Sequence, residues 1–184
     1  MDARSTTQAG PPPAILPRWA PTSAATVVLG GALAAALWAA THVHVDPVLH
    51  EVALFVHLAS LVLGFGSVLA VDWVALLWLV QRRSLGDVLR TAGNAHFPIW
   101  AGYAGLVVSG VLLDPDITSQ ATRLKLVLVL VIGWNGLFAG ALHRRMSRLR
   151  GEPGRELLMC SAASGFASQL GWWGAMLIGF ANGR

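Results

Sequence analysis

Five apolar stretches, each close to the length of a membrane-spanning helix, constrain the fold of this chain more than any other feature. They cover residues 24–41, 52–80, 97–113, 124–142 and 157–181. About 20 apolar residues in a helix cross roughly 30 Å of hydrocarbon. Only 12% of the residues are charged, whereas soluble domains carry roughly 25%. The sequence therefore predicts an all-α fold, an integral membrane bundle of about five transmembrane helices in a lipid bilayer.

The basic residues predict the orientation of this bundle. Ten of the 13 Lys and Arg residues lie in the tail 1–22 or in the loops 81–96 and 143–156. Cytoplasmic loops carry the excess of Lys and Arg, so we expect the amino terminus inside and the carboxyl terminus outside. This clustering beside apolar stretches also argues against a nucleic-acid partner, despite the net charge of +4. The Pro-rich composition of the tail predicts that it is disordered. The first apolar stretch fits either a membrane span or the apolar core of a signal peptide, and cleavage of a signal peptide would leave four helices.

Histidines concentrate around the start of the second stretch. Four of the six lie within residues 42–57, namely His42, His44, His50 and His57. Extended backbone points the first two imidazoles to one face, and His50 and His57 are two helical turns apart on one helix face. Imidazole is an ordinary ligand of copper and zinc, so we predict a site for one of these metals. The alternative is that the loop histidines are solvated and bind no metal. His57 is a candidate functional residue by itself, because it falls within the apolar region.

A carboxylate interrupts the longest apolar stretch. Asp72 lies about 11 Å from the predicted inner end of its helix, at 1.5 Å per residue. An isolated carboxylate at that depth must be protonated, paired or beside water. Tyr103, Asn135 and Ser164 fall at similar depths on the next three stretches. They predict one intramembrane polar layer, which would act either as a proton relay or ion site or as polar contacts that hold the helices in register.

Two further histidines mark the inner ends of neighbouring stretches. His96 and His143 would approach each other if the third and fourth helices are antiparallel neighbours. A b-type haem is held by histidines of facing helices, which makes His96, His143 and also His57 candidate axial ligands. The alternative is that His143, followed by two arginines, is an interfacial histidine beside lipid headgroups.

Short motifs in the second and third stretches resemble a known group of proteins. They are His57-Leu58-Ala59, the small residues Gly64 and Gly66, a Trp in the same helix, and then a basic loop before a Gly-rich helix. This half of the chain resembles the small bacterial membrane proteins grouped around the copper-resistance protein D domain. The resemblance implies a helical bundle in the bacterial inner membrane, a role in copper handling, and His57 as the matching position. The chain departs from that group in two ways. It lacks Met-rich copper motifs, since it has only four Met residues, and it has one additional apolar stretch at its amino-terminal end.

Three functions remain open on the sequence. The leading one is copper or zinc handling through the outer histidines; the second is electron transfer by a b-type haem. The third is a non-catalytic subunit or scaffold, as a homo-oligomer or with a partner in a membrane complex, for which rows of small residues suffice. The chain shows no Gly-rich phosphate loop, nucleophile elbow or carboxylate pair of a hydrolase. We therefore predict no catalytic residues.

Overall fold

The computed structural model describes residues 23–43, 45–149 and 151–182. Within these ranges the chain is all-α and contains five helices and no strand. The helices are α1 (Ser23–Ala40), α2 (Pro47–Leu79), α3 (Leu85–Val111), α4 (Gln120–Ser147) and α5 (Arg155–Asn182). The predicted tail 1–22 and the predicted ligand His44 lie outside the described residues.

Polar caps start two of the helices earlier than the apolar stretches indicate. The Asp46 side chain accepts a hydrogen bond from the Leu49 N–H (3.0 Å), and Pro47 opens α2. Ser84 and Asp87 form a reciprocal capping box at the start of α3. These bonds satisfy N–H groups that lack partners in a first helical turn. The helices therefore include polar turns that hydropathy places in the loops, most clearly residues 85–96 of α3.

Helices α2 and α3 pack as antiparallel neighbours with their backbones in contact. A Cβ atom built on Gly102 would lie 2.5 Å from the Gly64 Cα and 2.6 Å from the Ser60 carbonyl oxygen. One turn further along α3, a Cβ on Gly105 would collide with the Ser60 hydroxyl. Small residues permit this approach, and close backbone packing is a main source of helix association in a membrane.

Helices α3 and α4 are separated instead by aromatic rings that lie against glycines. Tyr103 and Trp100 of α3 cover Gly133 and Gly136 of α4, and the Trp100 Cζ2 lies 3.2 Å from where a Gly136 Cβ would stand. The main buried cluster unites α2 to α5 and consists of Phe65, Val68, Tyr103, Ile132 and Trp172. We call the end at which α2 and α4 begin the outer end, and the opposite end the inner end.

Much of the apolar surface of the bundle is open. Phe55, Val62 and Trp73 on α2 are 73%, 74% and 62% exposed, and Phe166 on α5 is 67% exposed. Within the described ranges, α2 and α4 are long and apolar enough to cross a membrane. Only 28% of the apolar window of each is buried. These two helices are therefore compatible with a membrane protein, and the other three predicted spans do not meet the same criterion in the described ranges.

Candidate functional site

The first predicted ligand, His42, is turned back onto the end of α1. Its ring stacks on Trp38 at a centroid distance of 4.5 Å, and its Nδ1 lies 2.8 Å from the Trp38 carbonyl oxygen. The ring is exposed and lies close to Thr41 as well (2.9 Å). His42 is therefore engaged with its own helix end.

A shallow, open depression of about 570 Å³ lies at the outer end, between the start of α2 and the end of α3. His50 and Glu51 line it from α2, and Asp114 lines it from the loop after α3. Within the described part of the chain, however, no three His, Cys, Asp or Glu side chains converge closely enough to hold a metal ion. The depression gathers suitable residue types without forming a ligand set.

His57 faces α3 and is held there by a hydrogen-bonded chain. Its Nδ1 lies 2.9 Å from the Ser109 Oγ, and the Ser109 hydroxyl donates to the Gly105 carbonyl oxygen (2.6 Å). Ser109 is only 1% exposed. With the serine proton donated to the carbonyl, an imidazole protonated on Nδ1 satisfies the Ser109 oxygen. The Nε2 of the neutral ring then carries a lone pair available to a ligand.

A lysine adds positive charge beside this histidine. Lys125, near the start of α4, interacts electrostatically with His57. Its Nζ lies 3.8 Å from where a Cβ of Gly179 on α5 would stand, so the side chain reaches across the bundle. In the ranges that the structure describes, the only salt bridge joins Arg90 and Asp87. Lys125 thus has no carboxylate within ion-pair distance there.

His96 and His143 come together at the inner end, as their positions predict for antiparallel neighbours. The His96 Cε1 lies 3.5 Å from the Cβ position of Gly140, and the His143 Nε2 lies 3.4 Å from that of Gly93. Each imidazole therefore packs on a glycine of the opposite helix. The His143 Nδ1 is buried without a hydrogen-bond partner. Arg144 also lies near Gly140, and its Nη1 is 3.4 Å from the same Cβ position.

Asp72 accepts a hydrogen bond from a residue that hydropathy alone does not single out. The donor is the amide Nε2 of Gln169 on α5, whose Oε1 accepts from the indole N–H of Trp173 at 2.9 Å. The three side chains form one chain of hydrogen bonds between α2 and α5. Asp72 and Gln169 are partly buried, whereas Trp173 is 45% exposed.

The other three residues of the predicted polar layer bond elsewhere. Asn135 and Ser164 pair with each other, since the amide donates to the Ser164 carbonyl and the serine hydroxyl donates to the Asn135 Oδ1, both at 2.9 Å. The Tyr103 hydroxyl donates to the Val129 carbonyl oxygen at 3.0 Å. The structure thus joins two of the four predicted residues and distributes the four over three separate hydrogen-bonded groups.

The sequence singles out His57 and Asp72 but not the residues to which they hydrogen-bond, Ser109 and Gln169. Ser109 belongs to a row of small residues that reads equally well as packing, and Gln169 is a single amide in an apolar helix. The available signal was that a polar side chain in such a helix needs a partner at matching depth. Applied to α5, this rule selected Ser164, five residues before Gln169, because depth alone does not determine how α5 is rotated and shifted against α2.

Comparisons of this chain with protein-family models, with curated proteins and with solved structures give no match. The function is therefore argued from the chain's own residues.

Proposed function

We propose that this chain is a five-span membrane protein that binds a b-type haem, with His57 as an axial ligand, and serves in electron transfer. The observation that supports this proposal is the orientation of His57. Its Nδ1 lies 2.9 Å from the Ser109 Oγ, and a proton on Nδ1 would leave the Nε2 lone pair to a ligand. Ligating histidines almost always donate their other ring N–H to a fixed acceptor, which sets the tautomer and the ring orientation.

The number of available ligands favours haem over a copper or zinc ion. A protein site for zinc usually needs three or four side-chain ligands. The described residues offer no group of three. The porphyrin itself supplies four nitrogens to iron, so that one or two imidazoles complete the coordination. A bound haem would provide one-electron chemistry, and the protein would contribute the ligand, the orientation and the surrounding charge.

A cation near His57 also suits a bound haem. Lys125 would provide a cation for the acidic substituents of a haem.

The membrane placement rests on surface and charge. Large apolar side chains are exposed along α2 and α5, and contiguous apolar surface of this kind marks a membrane or protein interface. The Lys and Arg residues lie mainly in the tail and the inner loops, which supports an amino terminus inside the cell.

Cysteine-accessibility mapping with a membrane-impermeant thiol reagent, on Cys160→Ser protein, tests this topology. Labelling at position 115 from outside and at 152 only after permeabilisation is expected; the reverse pattern would contradict it.

An optical spectrum of the purified protein tests haem binding. Protein from haem-replete cells should show a Soret band that His57→Ala removes. Ser109→Ala should weaken haem binding about 10–100-fold, the usual effect of losing an outer-shell partner. His50→Ala is the matched control, because it changes an exposed imidazole on the same helix face and should leave the spectrum intact.

Three outcomes would overturn this assignment. A colourless protein would exclude haem. A band that survives His57→Ala but is lost in His96→Ala or His143→Ala would move the ligand to the inner end. Stoichiometric copper or zinc without haem, measured on the same sample, would favour the metal-handling prediction.

A further inference from the structure

A second chemical group, remote from His57, lies in the inner half of the bundle. Asp72 is seven residues before the end of α2 at Leu79, which corresponds to about 10 Å along the helix axis. Its carboxyl oxygen Oδ2 accepts from the Gln169 amide. The described residues provide no ion pair for it, since their only salt bridge joins Arg90 and Asp87.

The indole of Trp173 fixes the direction of this hydrogen-bonded chain. An indole N–H can only donate, so the group it contacts on Gln169 must be the amide oxygen. The amide NH₂ is then turned towards Asp72. Gln169 is therefore held as a donor, and Asp72 is held as an acceptor through one of its two oxygens. The second oxygen, Oδ1, makes no hydrogen bond in the described part of the chain.

Within the described ranges, no charged group acts appreciably on Asp72. The elements packed around it present the neutral side chains of Gln169 and Trp173 from α5, and its environment is dominated by burial and by the Gln169 bond. The charged and histidine groups of the inner half lie elsewhere, on α3, α4, α5 and the loops beside them: Arg82, Arg83, Asp87, Arg90, His96, His143, Arg144, Arg145, Arg148, Glu152, Arg155 and Glu156. An isolated carboxylate in an apolar environment is costly and either binds a cation or neutralises.

We propose that Asp72 is a proton-binding site, loaded from the inner side of the membrane, in which Gln169 holds one carboxyl oxygen and a proton occupies the other. The proton taken up converts the carboxylate to a neutral acid, and release to the inner aqueous phase restores the anion. The site is independent of haem binding and depends only on the placement of α2 in a bilayer. The Trp173 indole acts through Gln169, so both are positioning residues.

Modification by a hydrophobic carbodiimide tests the proposal, because this reagent adds to a carboxylic acid in an apolar environment and spares aqueous carboxylates. The full-length protein in phospholipid vesicles is treated with dicyclohexylcarbodiimide over a range of pH and analysed by peptide mass spectrometry. Asp72 should be modified, with a yield that falls as the pH rises. Asp87 and Asp114, which are outside the apolar region, are the internal controls and should stay unmodified. Asp72→Asn should abolish the labelling.

A second variant keeps the test decisive if Asp72→Asn does not fold. Gln169→Leu removes a hydrogen bond that favours the carboxylate, so labelling of Asp72 at a given pH should increase. Labelling of Asp72 that is absent at every pH, or that decreases in Gln169→Leu, would overturn the proposal. Protection by sodium ions at constant pH would also overturn it, since the site would then bind a metal cation in place of the proton.

Discussion

The contact between Gly64 and Gly102 predicts that a single methyl group destabilises the whole bundle. In Gly102→Ala the new Cβ would lie 2.5 Å from the Gly64 Cα and 2.6 Å from the Ser60 carbonyl oxygen. Both are backbone atoms within α2, so no side-chain rotation can relieve the clash. Relief requires that α2 and α3 separate along the length of their contact.

The size of the effect follows from the cost of overpacking. Extra methyl groups in a packed interior typically cost about 1–3 kcal/mol. For a chain of this length each kcal/mol corresponds to roughly 2–4 °C in Tm, so we expect Gly102→Ala to lower Tm by about 2–12 °C. Gly66→Ala is the control. Its new Cβ meets no atom within 4 Å, and alanine is favoured over glycine inside a helix by roughly 0.5–1 kcal/mol.

Thermal unfolding of the two variants in the same detergent or lipid nanodisc measures this difference. Gly66→Ala should unfold at or above the Tm of the parent protein, and Gly102→Ala below it. Since both variants add the same methyl group to an apolar helix, their difference reports the α2–α3 contact alone. Equal Tm values would refute the reasoning, because they would show that the two backbones are not in contact at Gly102.

Three further predictions concern hydrogen bonds and can be checked by unfolding measurements. Tyr103→Phe removes one bond to a carbonyl of α4 and should lower the free energy of unfolding by about 1 kcal/mol; no change would show that the bond is absent. Asn135→Ala and Ser164→Ala should be non-additive in a double-mutant cycle, because both remove the bond from the Ser164 hydroxyl to the Asn135 Oδ1, while only Asn135→Ala also removes the bond to the Ser164 backbone carbonyl; strict additivity would contradict the pairing. The hydrogen bonds from Ser84 lower the pKa of Asp87, so its contribution to stability is present above the unfolded-state pKa and is lost as the pH falls through the lower, folded-state pKa. Ser84→Ala removes the hydroxyl bond and keeps the bond from the Ser84 backbone N–H. It should therefore make the acid side of the pH–stability curve less steep without flattening it fully, and an unchanged curve would count against the capping box.

The sequence predicts helices better than it predicts partners. Runs of apolar residues locate all five helices, because a helix satisfies its own backbone. The run 97–113 nevertheless misses the first three turns of α3, since hydropathy does not register a capping box such as Ser84 with Asp87. Asp72 stands out as a carboxylate among apolar residues, yet its partner depends on how far α5 is rotated and shifted against α2. The depth of a residue along one helix does not determine either quantity, so the sequence grouped Asp72 with Tyr103 instead of Gln169.

The alternation of rings and glycines between α3 and α4 bears on how the helices find their correct alignment. Tyr103, Trp100 and His96 each cover a glycine of α4, and His143 of α4 covers Gly93 in return. A shift of α4 by about one turn would oppose rings with rings or glycines with glycines, which would leave either clashes or voids. Helices already inserted in lipid gain little from hydrophobic burial when they associate. With the bundle placed in lipid as proposed, shape would therefore supply the discrimination between competing alignments that water supplies for a soluble protein, and a substitution of one of these glycines would affect the accuracy of assembly as well as its strength.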